Sequence, residues 1–254
     1  AGRAAPKVPG SVAVVGFENQ TGDPKFDPLR KVIPSLLITN LENTGLFQVS
    51  TWERMRDVLG QMGRKGVDVV EGDAGFDFCR REGVAFIVVG SISKAGDTFV
   101  TEFKLLDPDT RKMVATAAAR GTGEDSILNA HIDELSRRIA QGMGVAAAKI
   151  ESARMAVTEI TTRSTEAYAA YLRGMEAINK FDDPGAKRAF EEAIRLDPDF
   201  AVAYLRLGQA REREGNFEKV QEAYRRAKEL SARAPEKERL LIEARYAAEL
   251  GCTG

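Results

Sequence analysis

Residues 85–121, AFIVVGSISKAGDTFVTEFKLLDPDTRKMVATAAARG, carry the strongest β signal in the chain. In the middle run Phe99, Thr101, Phe103 and Leu105 fall on one side, with Val100, Glu102 and Lys104 on the other. That period-two alternation is the pattern of a strand with one buried face. KAGD and DPDT supply turn residues at either end, so the stretch reads as a three-stranded antiparallel meander.

Upstream lies SVAVVGFENQTGD, residues 11–23, whose apolar run at residues 12–17 reads as a further buried strand. A glycine closing such a run raises the question of a nucleotide site. A dinucleotide turn needs glycines at G-x-G-x-x-G so that the backbone can approach a pyrophosphate. After Gly16 come Phe17, Glu18 and Asn19, whose bulk and carboxylate oppose a phosphate, so Gly16 reads as the end of a strand.

Between these stretches, Leu29, Val32, Ile33, Leu36, Leu37 and Leu41 recur at helical spacing, with Pro34 either opening the main helix or kinking it. Gly45 is a C-cap candidate, LFQVS a second short strand, and residues 52–62 and 73–81 two helical segments. After the meander comes a closing helix, with Asp125 or Ser126 as N-cap and Leu128, Ile132, Leu135 and Ile139 on one stripe. The first half is thus a mixed-sheet α/β domain of order β-α-β-α-α-β-β-β-α.

From residue 165 onward the strand signal stops and the pattern is helical throughout. Gly174, Phe190, Ala193 and Pro198 are followed 34 residues later by Gly208, Tyr224, Ala227 and Ala232, so three of the four recur in kind. Small residues such as Gly174 and Ala186 let paired helices approach, and Phe190 fills the space between them. This period, and the stretch AKRAFEEAIRLDPDFAVAYLRLG, resemble the tetratricopeptide (TPR) repeat. The second copy departs in Val220, where alanine is usual, and in a proline delayed to Pro235. PEKERLLIEARYAAELG reads as a third leading helix, with Pro235 as N1 and Glu236 and Glu238 in its first turn.

The expected division is a linker at 1–10, the α/β domain at 11–145, a helical linker at 146–163 and an all-α TPR helical-hairpin domain at 164–254. The last holds repeats at 167–200 and 201–234 plus an incomplete third. The linker-like AGRAAPKVPG and the abrupt GCTG give both ends the look of a fragment.

The 254 residues, 43% hydrophobic and 30% charged, suit two soluble-type domains, and no apolar run approaches the roughly 18 residues that span a bilayer. Residues 1–163 carry 21 basic and 21 acidic side chains, and residues 164–254 carry 16 and 17. Neither half is a platform for nucleic acid or anionic lipid, and no membrane insertion is expected.

Chemistry is sparse. There is no P-loop, no G-x-S-x-G elbow and no H-R-D or D-F-G kinase signature. The single histidine, His131, lies beside the stripe of the closing helix and reads as a surface or semi-buried structural residue. Cys79 and Cys252 lack CxxC partners and metal-ligand neighbours, and read as a core thiol and a terminal one. The pairs Asp107/Asp109, Asp182/Asp183 and Asp197/Asp199 sit beside proline in turns, where aspartate accepts local backbone hydrogen bonds. No catalytic, cofactor or metal residues are assigned, and the chain reads as a non-enzyme.

VAVVGFENQTGD, LFQVSTWERMRDVL and GVAFIVVGSISKAGDTFVTEFKLLDPDTRKMVAT, in this order, resemble the TolB N-terminal-like and CsgG-like group of bacterial domains over residues 10–145. The match departs in GRKGVDVVEGD, which is longer and richer in glycine. The resemblance implies a mixed-sheet α/β domain with residues 11–23 holding its central strand, and a role in envelope assembly or recognition of other proteins; it does not imply an active site. With TPR repeats after it, the arrangement resembles the C-terminal portion of larger bacterial proteins that begin with a serine/threonine kinase, an adenylate cyclase or a DNA-binding regulator. It implies an extracytoplasmic, periplasmic part of a membrane-anchored protein, with a cytoplasmic one as the alternative.

In TPR proteins the first helix of each repeat lines a groove, and its positions fall here on Tyr168, Tyr171, Met175 and Ile178, then Val202, Leu205, Gln209 and Glu212. These either hold a protein or peptide partner or pack on the first domain. Trp52 likewise either anchors an interface or packs with Met55 and Leu59. The leading expectation is a non-catalytic protein-interaction, sensing or scaffold module of a signalling protein. The alternatives are a small-ligand receptor with its pocket between the domains, or an envelope component that self-assembles as a homo-oligomer by sheet-edge pairing.

Overall fold

The computed structural model describes residues 5–64, 69–153, 162, 164–212, 217–234 and 236–251. The chain forms two compact units, Ala1–Val157 and Thr158–Gly254.

In the first unit, β1 (Val8–Asn19) is followed by α1 (Leu29–Asn43), β2 (Gln48–Ser50), α2 (Trp52–Gln61) and α3 (Gly72–Glu82). Then come β3 (Val84–Ala95), β4 (Thr98–Leu106), β5 (Met113–Thr122), α4 (Ile132–Gly142) and α5 (Ala147–Ser152). The five strands form one mixed sheet of order β2-β1-β3-β4-β5. β1 runs parallel to β2 and β3, while β3, β4 and β5 form the expected antiparallel meander, with Phe103 opposite Gly90 on one side and Ala117 on the other. The central strand is therefore β3. β1, expected at the centre, lies one place from the edge, because the short β2 is added outside it.

Helices cover both faces of the parallel part. α1 and α4 pack together, α4 lying against Leu105 and Ala115 through Gly142, while Gly75 of α3 meets Val15 and Ile87 on the opposite side. Val12, Ala13, Val14, Val15 and Phe17 are all within 1% of full burial, which is why β1 reads as a continuous apolar run and β4, with one open face, as an alternation.

Three further expectations change. β1 starts at Val8, inside the stretch expected as a linker, because Val8 pairs with Val84 and its N–H donates to the Gly83 carbonyl. Gly16 does not end the strand. It sits where the β1–β3 register shifts, donates its N–H to the Val70 carbonyl at 2.7 Å, and has no room for a Cβ beneath Val69. The closing helix begins with a π-helical turn, Ile127–His131, before α4. Pro34 lies inside α1, which starts earlier, at Leu29. The expected connection at 146–163 contains α5; residues 154–161 and 163 lie outside the described residues.

The second unit is helical: α6 (Thr165–Asn179), α7 (Asp183–Leu196), α8 (Ala201–Glu212), α9 (Phe217–Leu230) and α10 (Glu236–Gly251), with a 3-10 turn at Ser231–Arg233 before α10. α6 pairs with α7 and α8 with α9, while α7 packs on α8 and α9 on α10. Pro235 and Cys252 lie outside the described residues.

Candidate functional site

Within each hairpin, a glycine on the first helix receives an aromatic ring from the second. A Cβ at Gly174 would collide with the Phe190 ring, and one at Gly208 would meet Tyr224 at 2.7 Å. Phe190 and Tyr224 are buried, and the Tyr224 hydroxyl donates to the Glu212 carboxylate. Caps set the helix entries. The Ser164 hydroxyl accepts from the Ala167 N–H at 3.0 Å and the Asp182 carboxylate from the Gly185 N–H at 2.9 Å, with a proline in the first turn of α7.

Tyr168 and Tyr171 are drawn into the packing between hairpins. Tyr171 lies 5.9 Å from Phe190 and 5.4 Å from Phe200 by ring centroids, and Tyr168 stacks on Phe200 at 6.4 Å. Burial pushes the Tyr171 phenol above its ordinary pKa. Met175 and Ile178 pack, half-buried, on a cluster of Ala186, Phe190, Leu207 and Ala210. On α8, Val202 and Leu205 are buried, Gln209 is half-buried and accepts from Arg206 at 2.9 Å, and Glu212 is exposed. Of the eight expected groove residues, Tyr168, Val202 and Leu205 are buried, Tyr171, Met175, Ile178 and Gln209 half-buried, and Glu212 exposed.

The other side of α8 carries a second feature that the repeat positions do not point to. Tyr204, Leu207 and Arg211 line an open depression of about 550 Å³ with Glu191 of α7 and Glu222 and Arg226 of α9. Its charges are balanced, and two pairs form within it: Arg211 with Glu191 at 2.8 Å, and Arg226 with Glu229 at 3.0 Å. The spacing 204/207/211 was the available signal, since it marks the helix side facing away from Val202, Leu205 and Gln209.

Several polar residues of the first unit are buried or held in local contacts. His131, expected as a surface or semi-buried structural residue, is fully buried at the end of the π turn that precedes α4. Its Nδ1 lies 2.9 Å from the Thr101 hydroxyl and its Nε2 3.5 Å from Ser126, and burial lowers its pKa. Cys79 is buried and its thiol is pushed up to about 12 by desolvation. Asp107 accepts from the Asp109 and Thr110 N–H groups, and Asp197 from that of Asp199, as local turn chemistry requires. Lys7, hydrogen-bonded to Asp107, holds that carboxyl down at about 2. Trp52 is half-buried at the start of α2, and its indole N–H finds no acceptor among the described residues. Among those residues, no group of three or more His, Cys, Asp or Glu side chains is arranged to hold a metal.

Residues 201–233 match the family model of the tetratricopeptide repeat. No curated protein matches the chain. Among solved structures, the C-terminal domain of LpoB from Salmonella enterica is similar at 14% identity, covering 46% of this chain and 84% of that one, with a TM-score of 0.39. TolB from Acinetobacter baumannii is similar at 17% identity over 55% of this chain and 29% of that one, with a TM-score of 0.36. The PelC dodecamer from Paraburkholderia phytofirmans is similar at 19% identity over 47% of this chain and 77% of that one, with a TM-score of 0.30. No helix among the described residues is long and apolar enough to cross a membrane.

Proposed function

We propose that this chain is a non-catalytic protein-interaction module, the regulatory or scaffold part of a larger bacterial signalling protein, holding a protein or peptide partner on its helical unit. The observation that carries the reading is the tetratricopeptide match at residues 201–233 on a hairpin whose glycine–aromatic packing repeats that of the hairpin before it. The order of a TolB-like α/β unit and then repeats supports the signalling context and a periplasmic position, by resemblance to proteins built in that way.

The partner meets the accessible part of the stripe, Met175, Ile178, Gln209 and Glu212, where apolar contacts sit beside an amide and a carboxylate. Affinity capture with the wild-type chain and with a Met175→Ala/Gln209→Arg variant tests this. The expected result is one partner, identified by mass spectrometry, whose affinity drops at least tenfold in the variant while the circular dichroism stays that of a folded helical unit. Equal binding by both chains, or no specific partner, refutes the reading.

A further inference from the structure

Arg206 lies on α8 between Val202 and Gln209, four residues after the first and three before the second, so it shares their side of the helix. It is half-buried, and its Nε is buried with no acceptor. A guanidinium carries five N–H donors and a permanent charge, so partial burial is costly where no acid answers it. The acceptor it has is neutral: Nη1 donates to the Gln209 Oε1 at 2.9 Å. Other arginines of this unit meet carboxylates, Arg211 that of Glu191 at 2.8 Å and Arg245 that of Glu212 at 3.6 Å. Among the described residues, no carboxylate pairs with Arg206. Beyond the burial that dominates its shift, the Tyr171 phenol of α6 feels Arg206 of α8 and Glu238 of α10, so three leading helices converge here.

We propose that Arg206 anchors a carboxylate of the partner, and that the Gln209 amide holds the place of that carboxylate in the free chain. The inference rests on the reading of this stripe as the partner-binding surface. A carboxylate meets an arginine fork with two oxygens and brings the charge that an amide lacks, and such bonds are about twice as strong as neutral ones. The exchange therefore gives up one neutral hydrogen bond for charge-assisted ones. The displaced amide turns its own N–H groups to the same carboxylate, so neither side chain is left unmatched. Met175 and Ile178, half-buried on α6, offer apolar contact to the residues beside the acidic one. The partner segment is thus acidic at one point and apolar next to it.

Acetate serves as the probe. Nuclear magnetic resonance of the 254-residue chain follows the Arg206 side-chain N–H signals, assigned with Arg206→Lys, as sodium acetate replaces sodium chloride at constant ionic strength. The expected result is a saturable acetate shift at Arg206 that persists in Gln209→Ala and is lost in Gln209→Glu, whose own carboxylate fills the fork. A partner captured on the wild-type chain is expected to bind Gln209→Glu at least tenfold more weakly and Gln209→Ala no more weakly than wild type. No acetate shift at Arg206, or the same shift in Gln209→Glu, overturns the proposal. A partner that binds Gln209→Glu as tightly as wild type also overturns it, while leaving the stripe as the binding surface. Failure to capture any partner counts against the surface, and the acetate titration still decides the role of Arg206.

Discussion

At the scale of single residues, Gly174 and His131 show how competing terms decide an outcome. Replacing Gly174 by alanine adds about 1 kcal/mol of helix propensity. Against this stands the overpacking of a Cβ against the buried Phe190 ring, about 1–3 kcal/mol in a filled core. The clash wins, so Gly174→Ala lowers the stability of the helical unit in urea titration, and adding Phe190→Leu recovers part of the loss. His131 answers to pH. Its folded pKa lies below its ordinary value, so the folded state favours the neutral ring. The unfolded chain takes up the proton first as pH falls below about 6.5. The melting temperature of the first unit is therefore expected to decline from pH 7 toward pH 5, and His131→Gln to flatten that slope. A separate fall, from about pH 4 to about pH 2, follows protonation of Asp107 beside Lys7. That Gly16 does not open a phosphate turn was legible from Phe17 and Glu18. Its real constraint was not, because the segment that covers it, Val69 and Val70, comes from more than fifty residues away and leaves no local mark.

At the scale of elements, periodicity located strands and helices well wherever one face is buried and the other is not. The alternation in β4 and the stripe in α4 are of this kind. β1 was legible as a strand, but its place in the sheet was not, since that depends on where the three-residue β2 adds. The π turn before α4 was hidden because Leu128, which lies in it, still falls on the apolar stripe, so the spacing reads as one helix. The aspartate pairs were legible from their prolines, and the reading can be tested at Asp182, which caps α7. Asp182→Ala is expected to cost about 1 kcal/mol, the usual loss of an N-cap side chain, with no loss of any bound cation. Chemical denaturation followed by helix signal, with and without calcium, measures both. The groove positions were read from repeat spacing alone, which fixes a side of each leading helix and says nothing of which rings a neighbouring hairpin takes up. Phe200, in the turn before α8, takes up Tyr168 and Tyr171.

At the scale of the whole molecule, the two periods in the sequence correspond to two units with separate kinds of core. Strand period two with helices on both faces builds the first; a 34-residue period of small and aromatic residues builds the second. Phe103 is buried among the strands and α4, and Phe190 between α6 and α7. Truncating a fully buried phenylalanine removes its transfer energy and leaves a cavity, at a cost of about 3–5 kcal/mol. Phe103→Ala should then release amide protection across β3, β4 and β5, and Phe190→Ala across α6 and α7, each in the unit that contains it. Hydrogen exchange read by mass spectrometry separates the two sets of peptides. Loss of protection in both units from either substitution would show that the chain unfolds as one cooperative body, and that the seam between the two periods in its sequence does not divide its stability.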